Sequence, residues 1–271
     1  MKLIAVDLDG TLLNHDKEIL EGSRKAIAKA AEAGIRVVVA SGRSNLEAQG
    51  FVKDTACDRW LICSNGAVIV DRMTGERHKV WQIPRETAAE IVRRGEECGL
   101  RMFLYIDDEI WMTNDTYEQI FSKMRGFQVP GSMLHLTDDL VGDVASCKGV
   151  VTKLMGWSMD ADKKRRAREW MSELPGLTFT SSGPDNFEIM AEGAGKGEAI
   201  RWLAQELGIS MDETAAIGDS DNDLNMLHAV RHPIAMGNAS DHVKEQVEFV
   251  TGTCNTDGIE RAIAWVMEQD A

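Results

Sequence analysis

Long apolar runs are missing from this chain of 271 residues. Nothing approaches the ~20 residues that a membrane-spanning helix needs. The opening Met1-Lys2-Leu3-Ile4-Ala5-Val6 is short and runs straight into charged residues, so it is expected to be a strand and not a signal peptide. Basic charge is scarce as well. Thirty Lys and Arg face 44 Asp and Glu, a net charge of −14. That balance argues against nucleic acid or an anionic membrane as a partner, since both reward basic surfaces. It leaves a phosphorylated small molecule open, because a metal ion and one or two local cations hold a phosphate whatever the net charge. Cysteine is sparse and odd in number, at 57, 63, 98, 147 and 254, with no CxxC spacing. A disulfide framework and a zinc ribbon are therefore excluded as expectations, and a reducing cytoplasm is the expected setting. There is no fixed-period repeat and no low-complexity tract.

What is there is a rhythm of strand and helix. Leu3–Val6, the valine-rich 35–40 and Trp60–Cys63 are continuous apolar runs, suited to parallel strands buried on both faces. A helical apolar pattern over 23–33, stopped by Gly34, lies between the first two. The rhythm resumes with a helix over 196–207, a strand over 214–217, a helix over about 222–229, short strands at 234–236 and 248–250, and a closing helix over 259–267. This predicts a doubly wound, Rossmann-like α/β sheet. The middle reads as an α+β insert: helices over 84–99, 117–124 and 162–172, and strands over 102–106, 110–113, 150–157 and 178–181. The expected division is a core of 1–83 plus 185–271 and an insert of 84–184. His228 and His232, at i and i+4, are expected on one helix face as ordinary histidines.

Ligands of such sheets bind beyond the carboxyl ends of the strands, and four polar clusters stand there. Asp7-Leu8-Asp9-Gly10-Thr11 follows the first strand. One of its carboxylates can attack phosphorus, and the other can carry a proton to and from the reacting oxygens. Ser41-Gly42-Arg43 follows the second strand and offers a hydroxyl and backbone N–H groups to an anion. Gly195-Lys196-Gly197 has a P-loop flavour but fails as one, with Met190 where the first Gly belongs and Gly197 in place of Ser or Thr. Its lysine at a helix start opposes the helix dipole, which suits a lysine aimed at an anion. Gly218-Asp219-Ser220-Asp221-Asn222-Asp223 crowds three carboxylates that repel unless a cation joins them. Oxygen-only donors favour Mg²⁺. An EF-hand is disfavoured, since no Gly stands at its sixth position and no Glu at its twelfth.

Taken in order, these motifs and the turn Asn65-Gly66-Ala67 resemble the haloacid dehalogenase superfamily, and more closely its Cof-like phosphatase branch (subclass IIB), over essentially the whole chain. The resemblance implies a Mg²⁺-dependent phosphatase with an α/β cap as its insert. Asp7 would be the nucleophile that forms an aspartyl-phosphate, and Asp9 the acid and base. Mg²⁺ would be held by an Asp7 carboxylate oxygen, the Asp9 backbone carbonyl and Asp219. Ser41, the Gly42 N–H, Lys196, Asn222 and the N–H groups of Leu8 and Asp9 would grip the phosphate. Asp223 would orient Lys196 or a metal-bound water. Arg43 would either touch substrate or hold its loop. The expected partner is a small phosphate ester, such as a sugar phosphate or phosphorylated cofactor, and the chain is expected to be a monomer or small homo-oligomer. A phosphomutase or other phosphotransferase on the same fold is the alternative. A non-catalytic binding protein is disfavoured because every expected catalytic residue type is present.

Overall fold

The computed structural model describes residues 1–123 and 129–269. In chain order its strands are β1 (Leu3–Val6), β2 (Arg36–Ala40), β3 (Trp60–Cys63), β4 (Val68–Asp71), β5 (Arg77–Val80), β6 (Arg101–Ile106), β7 (Glu109–Thr113), β8 (Leu134–Thr137), β9 (Val151–Trp157), β10 (Leu177–Thr180), β11 (Asn186–Ala191), β12 (Thr214–Gly218), β13 (His232–Ala235) and β14 (Phe249–Val250). They divide between two compact units. One is Met1–Lys79 together with the chain from Gly195 onward, and the other is Val80–Ala194.

The first unit holds a sheet in the order β14-β13-β12-β1-β2-β3-β4-β5. All pairings from β14 to β3 are parallel. β1 is buried along its whole length and lies between β12 and β2, with Val6 level with Ile217 and Val39. From β1 the chain steps to β2 and β3 on one side and returns later to β12 on the other. The β1/β12 border is thus the switch point at which an open α/β sheet forms its crevice. The helix Glu21–Glu32 buries Ser23, Ile27 and Ala30, one stripe at helical spacing, and Gly34 at φ 82° ends it. The sequence pattern had not indicated β4, which runs antiparallel to β3, or β5 at the sheet edge. The histidine expectation is corrected too. His228 caps the short helix Leu224–Leu227, whereas His232 lies on β13 with Nδ1 3.2 Å from Glu248.

The second unit carries a mixed sheet in the order β10-β11-β9-β6-β7-β8, antiparallel except for β7/β8. Alternation along β6 sorts its residues by face. Met102, Leu104 and Ile106 join Ile91, Val92, Leu140, Val144, Ala167 and Met171, from the helices Arg85–Glu97, Leu140–Ser146 and Ala161–Met171. Phe103 and Tyr105 pack with Ile110, Met112, Ile120 and Phe121 instead. The divide falls at Lys79/Val80 and Ala194/Gly195, not near 83/84 and 184/185, because β11 pairs with β9 and β10 and so stays with this unit. The helix expected over 117–124 occupies Asn114–Gln119, and Met124 lies outside the described residues. Among the described residues no helix is long and apolar enough to cross a membrane.

Candidate active site

β1 ends at Val6 and delivers Asp7, whose N–H continues the ladder to the Ile217 carbonyl at 3.0 Å. The following loop turns at Gly10, at φ 81°. A Cβ there would stand 2.5 Å from Asp219 Oδ2, so glycine is what lets this loop close onto the loop after β12. Thr11 Oγ1 donates to Asp219 Oδ1 at 2.8 Å. Asn238 Nδ2 donates to the Gly10 carbonyl at 2.8 Å and holds the turn from outside.

Lys196 opens the helix Lys196–Glu206 and is 1% exposed. Its Nζ donates to Asp7 Oδ1 and to Asp223 Oδ1, both at 2.7 Å. Burying such charges costs several kcal/mol per ion unless partners replace the lost water, and here the lysine and two carboxylates replace it for one another. Asp223 Oδ2 accepts from the N–H groups of Asp219 at 2.9 Å and Ser220 at 3.0 Å. Asp223 therefore ties the lysine to the loop that carries Asp219. Gly195 brings no side-chain cap to the helix, and Asn225 Oδ1 supplies one from elsewhere by accepting the Gly197 N–H at 2.6 Å.

Asp7, Asp219 and Asp223 offer ligand oxygens that all lie within 4.8 Å of one another. Three carboxylates with one ammonium carry excess negative charge in a buried setting. Burial pushes Asp7 well above the carboxylate range, against the pull of Lys196 and with the push of Asp223 and Asp219. Burial and then the charge of Asp223 raise Asp219 to about 6. Burial opposes the charge on Lys196, but Asp223 and Asp7 outweigh it and raise its pKa. A hard divalent cation fits such an all-oxygen, over-charged cluster. Both Asp223 oxygens are already engaged, so of the three carboxylates Asp7 and Asp219 are the ones that could hold such an ion. A buried Asn222 Oδ1 without a hydrogen-bond partner is a further sign of a site shaped for something polar.

The Asp9 carboxylate stands apart from that cluster. Arg43 grips it with Nε to Oδ2 at 2.7 Å and Nη2 to Oδ1 at 2.8 Å, and Lys17 Nζ adds a bond to Oδ1 at 2.7 Å. Burial would raise its pKa, but the two cations prevail and hold it at about 2. In this arrangement Arg43 holds the Asp9 side chain.

Ser41 is buried at the end of β2, with its N–H on the Ile62 carbonyl at 2.8 Å and its Oγ accepting the Arg43 N–H at 3.2 Å. Gly42 lies between them in the chain. Leu8 is fully buried, and its carbonyl accepts from the Thr11 and Leu13 N–H groups. Asn222 Nδ2 donates to Asn65 Oδ1 at 3.5 Å. Asp7, Asp219, Asp223 and Lys196 thus meet directly, Asp9 meets Arg43, and Asn222 reaches the turn at Asn65. Sequence reading gave no role to Lys17, Thr11, Asn225 or Asn238. Thr11 and Asn238 act across 208 and 228 residues of chain, and no local spacing encodes such pairs. Lys17 had one signal, its place in a polar loop soon after the aspartates.

The haloacid dehalogenase-like hydrolase family profile matches residues 4–263. The 5-amino-6-(5-phospho-D-ribitylamino)uracil phosphatase YwtE of Bacillus subtilis is 32% identical, over 96% of this chain and 96% of its own. The pyridoxal phosphate phosphatase YbhA of Escherichia coli is 28% identical, over 97% of each chain. A solved haloacid dehalogenase-like hydrolase from B. subtilis superposes with a TM-score of 0.87 at 28% identity, covering 97% of this chain and 99% of that one.

Proposed function

Because the chain belongs to the haloacid dehalogenase-like hydrolases, we propose that it is a phosphatase of small, soluble phosphate monoesters that works through Asp7. The observation that carries this reading is the buried Asp7–Lys196–Asp223 chain beside Asp219 at the β1/β12 switch point, with a second carboxylate, Asp9, held separately two residues on. Relatives that act on a ribitylaminouracil phosphate and on pyridoxal phosphate support a phosphorylated cofactor or precursor, or a sugar phosphate, as the ester. Five free thiols support a cytoplasmic setting.

Asp7 attacks phosphorus, and the bond to the ester oxygen breaks as that oxygen takes a proton from Asp9. The aspartyl-phosphate then yields to water, whose proton returns to Asp9 as phosphate leaves and the Asp7 carboxylate is restored. Lys196 fixes the Asp7 carboxylate on one oxygen. Ser41, the Gly42 N–H, Lys196, Asn222 and the Leu8 and Asp9 N–H groups take the non-bridging oxygens, where charge concentrates. Clamped by Arg43 and Lys17, Asp9 is held as the carboxylate that activates water, and it must leave the Arg43 fork before it can protonate a leaving oxygen. Asp7, Asp219 and the Asp9 carbonyl would hold Mg²⁺, which would neutralise charge shared by the carboxylates and the phosphate.

The test is release of inorganic phosphate, with and without Mg²⁺, from sugar phosphates, nucleotides, pyridoxal phosphate and flavin mononucleotide. Asp7→Asn is expected to remove turnover while leaving the unfolding temperature close to that of the parent. Near-normal turnover by that variant would sink the covalent mechanism. Phosphoryl transfer to an added alcohol without phosphate release would favour a phosphotransferase.

A further inference from the structure

Three consecutive residues after β3 are left-handed: Ser64 at φ 51°, Asn65 at 56° and Gly66 at 92°. Residues with side chains rarely adopt this conformation, and two in succession persist only where the surroundings over-determine them. The surroundings here are the loops of three separate chemical motifs. The Ser64 N–H donates to the Arg43 carbonyl at 2.8 Å, and the Asn65 N–H to the Ser41 carbonyl at 2.9 Å. Gly66 lies against the helix start that carries the buried lysine. A Cβ on Gly66 would overlap the Gly195 carbonyl and stand 2.6 Å from the Lys196 backbone nitrogen. The Asn65 side chain, 2% exposed, accepts from Asn222 Nδ2. One turn thus touches the Ser41 loop, the Lys196 helix start and the Asn222 loop, which approach it from β2, from the helix Lys196–Glu206 and from β12.

We propose that Ser64-Asn65-Gly66 is the positioning element of the phosphoryl-binding site, with Asn65 as the residue that orients Asn222 and Gly66 as the spacer that sets the depth of Lys196. Through Asn65 the turn meets Asn222, and through Gly66 it meets the helix start whose Lys196 bonds Asp7, so it bears on the residues assigned to grip the phosphoryl group. Left-handed backbone explains the residue types. Asn is among the few side-chain-bearing residues that tolerate it, and Gly alone gives Lys196 room.

The inference rests on the phosphatase reading, so the experiment separates the two. Binding of inorganic phosphate to the Mg²⁺-loaded full-length protein is measured by calorimetry, beside Mg²⁺ binding and the unfolding temperature of each variant. Asn65→Gly keeps access to the left-handed backbone and removes only the carboxamide. It is expected to weaken phosphate binding by about tenfold, the weight of the one hydrogen bond that a misaligned Asn222 would lose to the charged phosphate, with Mg²⁺ binding unchanged and KM rising more than kcat falls. Gly66→Ala, which forces the helix start outward, is expected to weaken phosphate further and to lower kcat as Lys196 moves. A parent protein that binds no phosphate in Mg²⁺ would overturn the phosphatase reading and this inference with it. If the parent binds phosphate and Asn65→Gly binds it equally well, the inference alone is overturned, whatever the unfolding temperature does.

Discussion

At the scale of single residues, Lys196 carries the largest electrostatic stake. It is buried and bonded to two buried carboxylates. Lys196→Met removes the only cation bonded to that pair among the described contacts, and uncompensated buried charge costs about 3–5 kcal/mol. At ~2–4 °C per kcal/mol for a chain of this size, the unfolding temperature should fall by roughly 10 °C near neutral pH. The deficit should narrow in acid, where Asp7 takes up a proton. A scan showing no change at neutral pH would mean that the lysine does not balance this charge. Asp219 makes a second, pH-dependent case. Its pKa is raised to about 6, so its protonated form stabilises the fold fully below the ordinary carboxylate range, and that contribution is lost as pH climbs through 6. A cation acts on the form that remains. Added Mg²⁺ should therefore raise the unfolding temperature more at about pH 7.5 than at about pH 5, because protons compete for the ligand. Equal Mg²⁺ shifts at both values would remove Asp219 from the site.

At the scale of elements, the tight contact between the loops after β1 and β12 depends on Gly10. Gly10→Ala places a Cβ against Asp219 and demands a left-handed backbone from alanine. It should cost about 1–3 kcal/mol, measured by denaturant unfolding, and weaken Mg²⁺ binding measured by calorimetry. Unaltered Mg²⁺ affinity would show that the two loops need not touch. The same scale separates what the sequence disclosed from what it hid. β1, β2 and β12 were legible as unbroken apolar runs, and the clusters at their ends were legible because chemistry-bearing residues stood in short spacings. β11 was not legible, because Glu188 interrupts it. In the fold that glutamate is buried, with Lys153 Nζ 3.8 Å away, so a core strand looks amphipathic in sequence. Missing β11 displaced the expected boundary of the insert. The clamp on Asp9 was hidden for another reason. It needs Arg43 from β2's loop and Lys17 in a left-handed turn to arrive at one carboxylate, which is a property of the folded chain and not of any spacing.

At the scale of the whole molecule, the two units have separate hydrophobic cores, and the carboxylates, the lysine and the loops that hold them all belong to one of them. Domains with their own cores open as cooperative units. A ligand stabilises only the unit whose native state binds it, by an amount set by concentration over dissociation constant. Hydrogen exchange read by mass spectrometry, with and without saturating Mg²⁺, should therefore show slower exchange across β1, β12 and the helix Lys196–Glu206. Exchange in β6, β9 and the helix Arg85–Glu97 should stay close to its metal-free rate. Slowing of the same size in both units would mean that they open as one, and that metal binding is coupled to the inserted sheet. No slowing in either would mean that Asp7 and Asp219 do not form a metal site, and the role given to the ion in hydrolysis would fall with it.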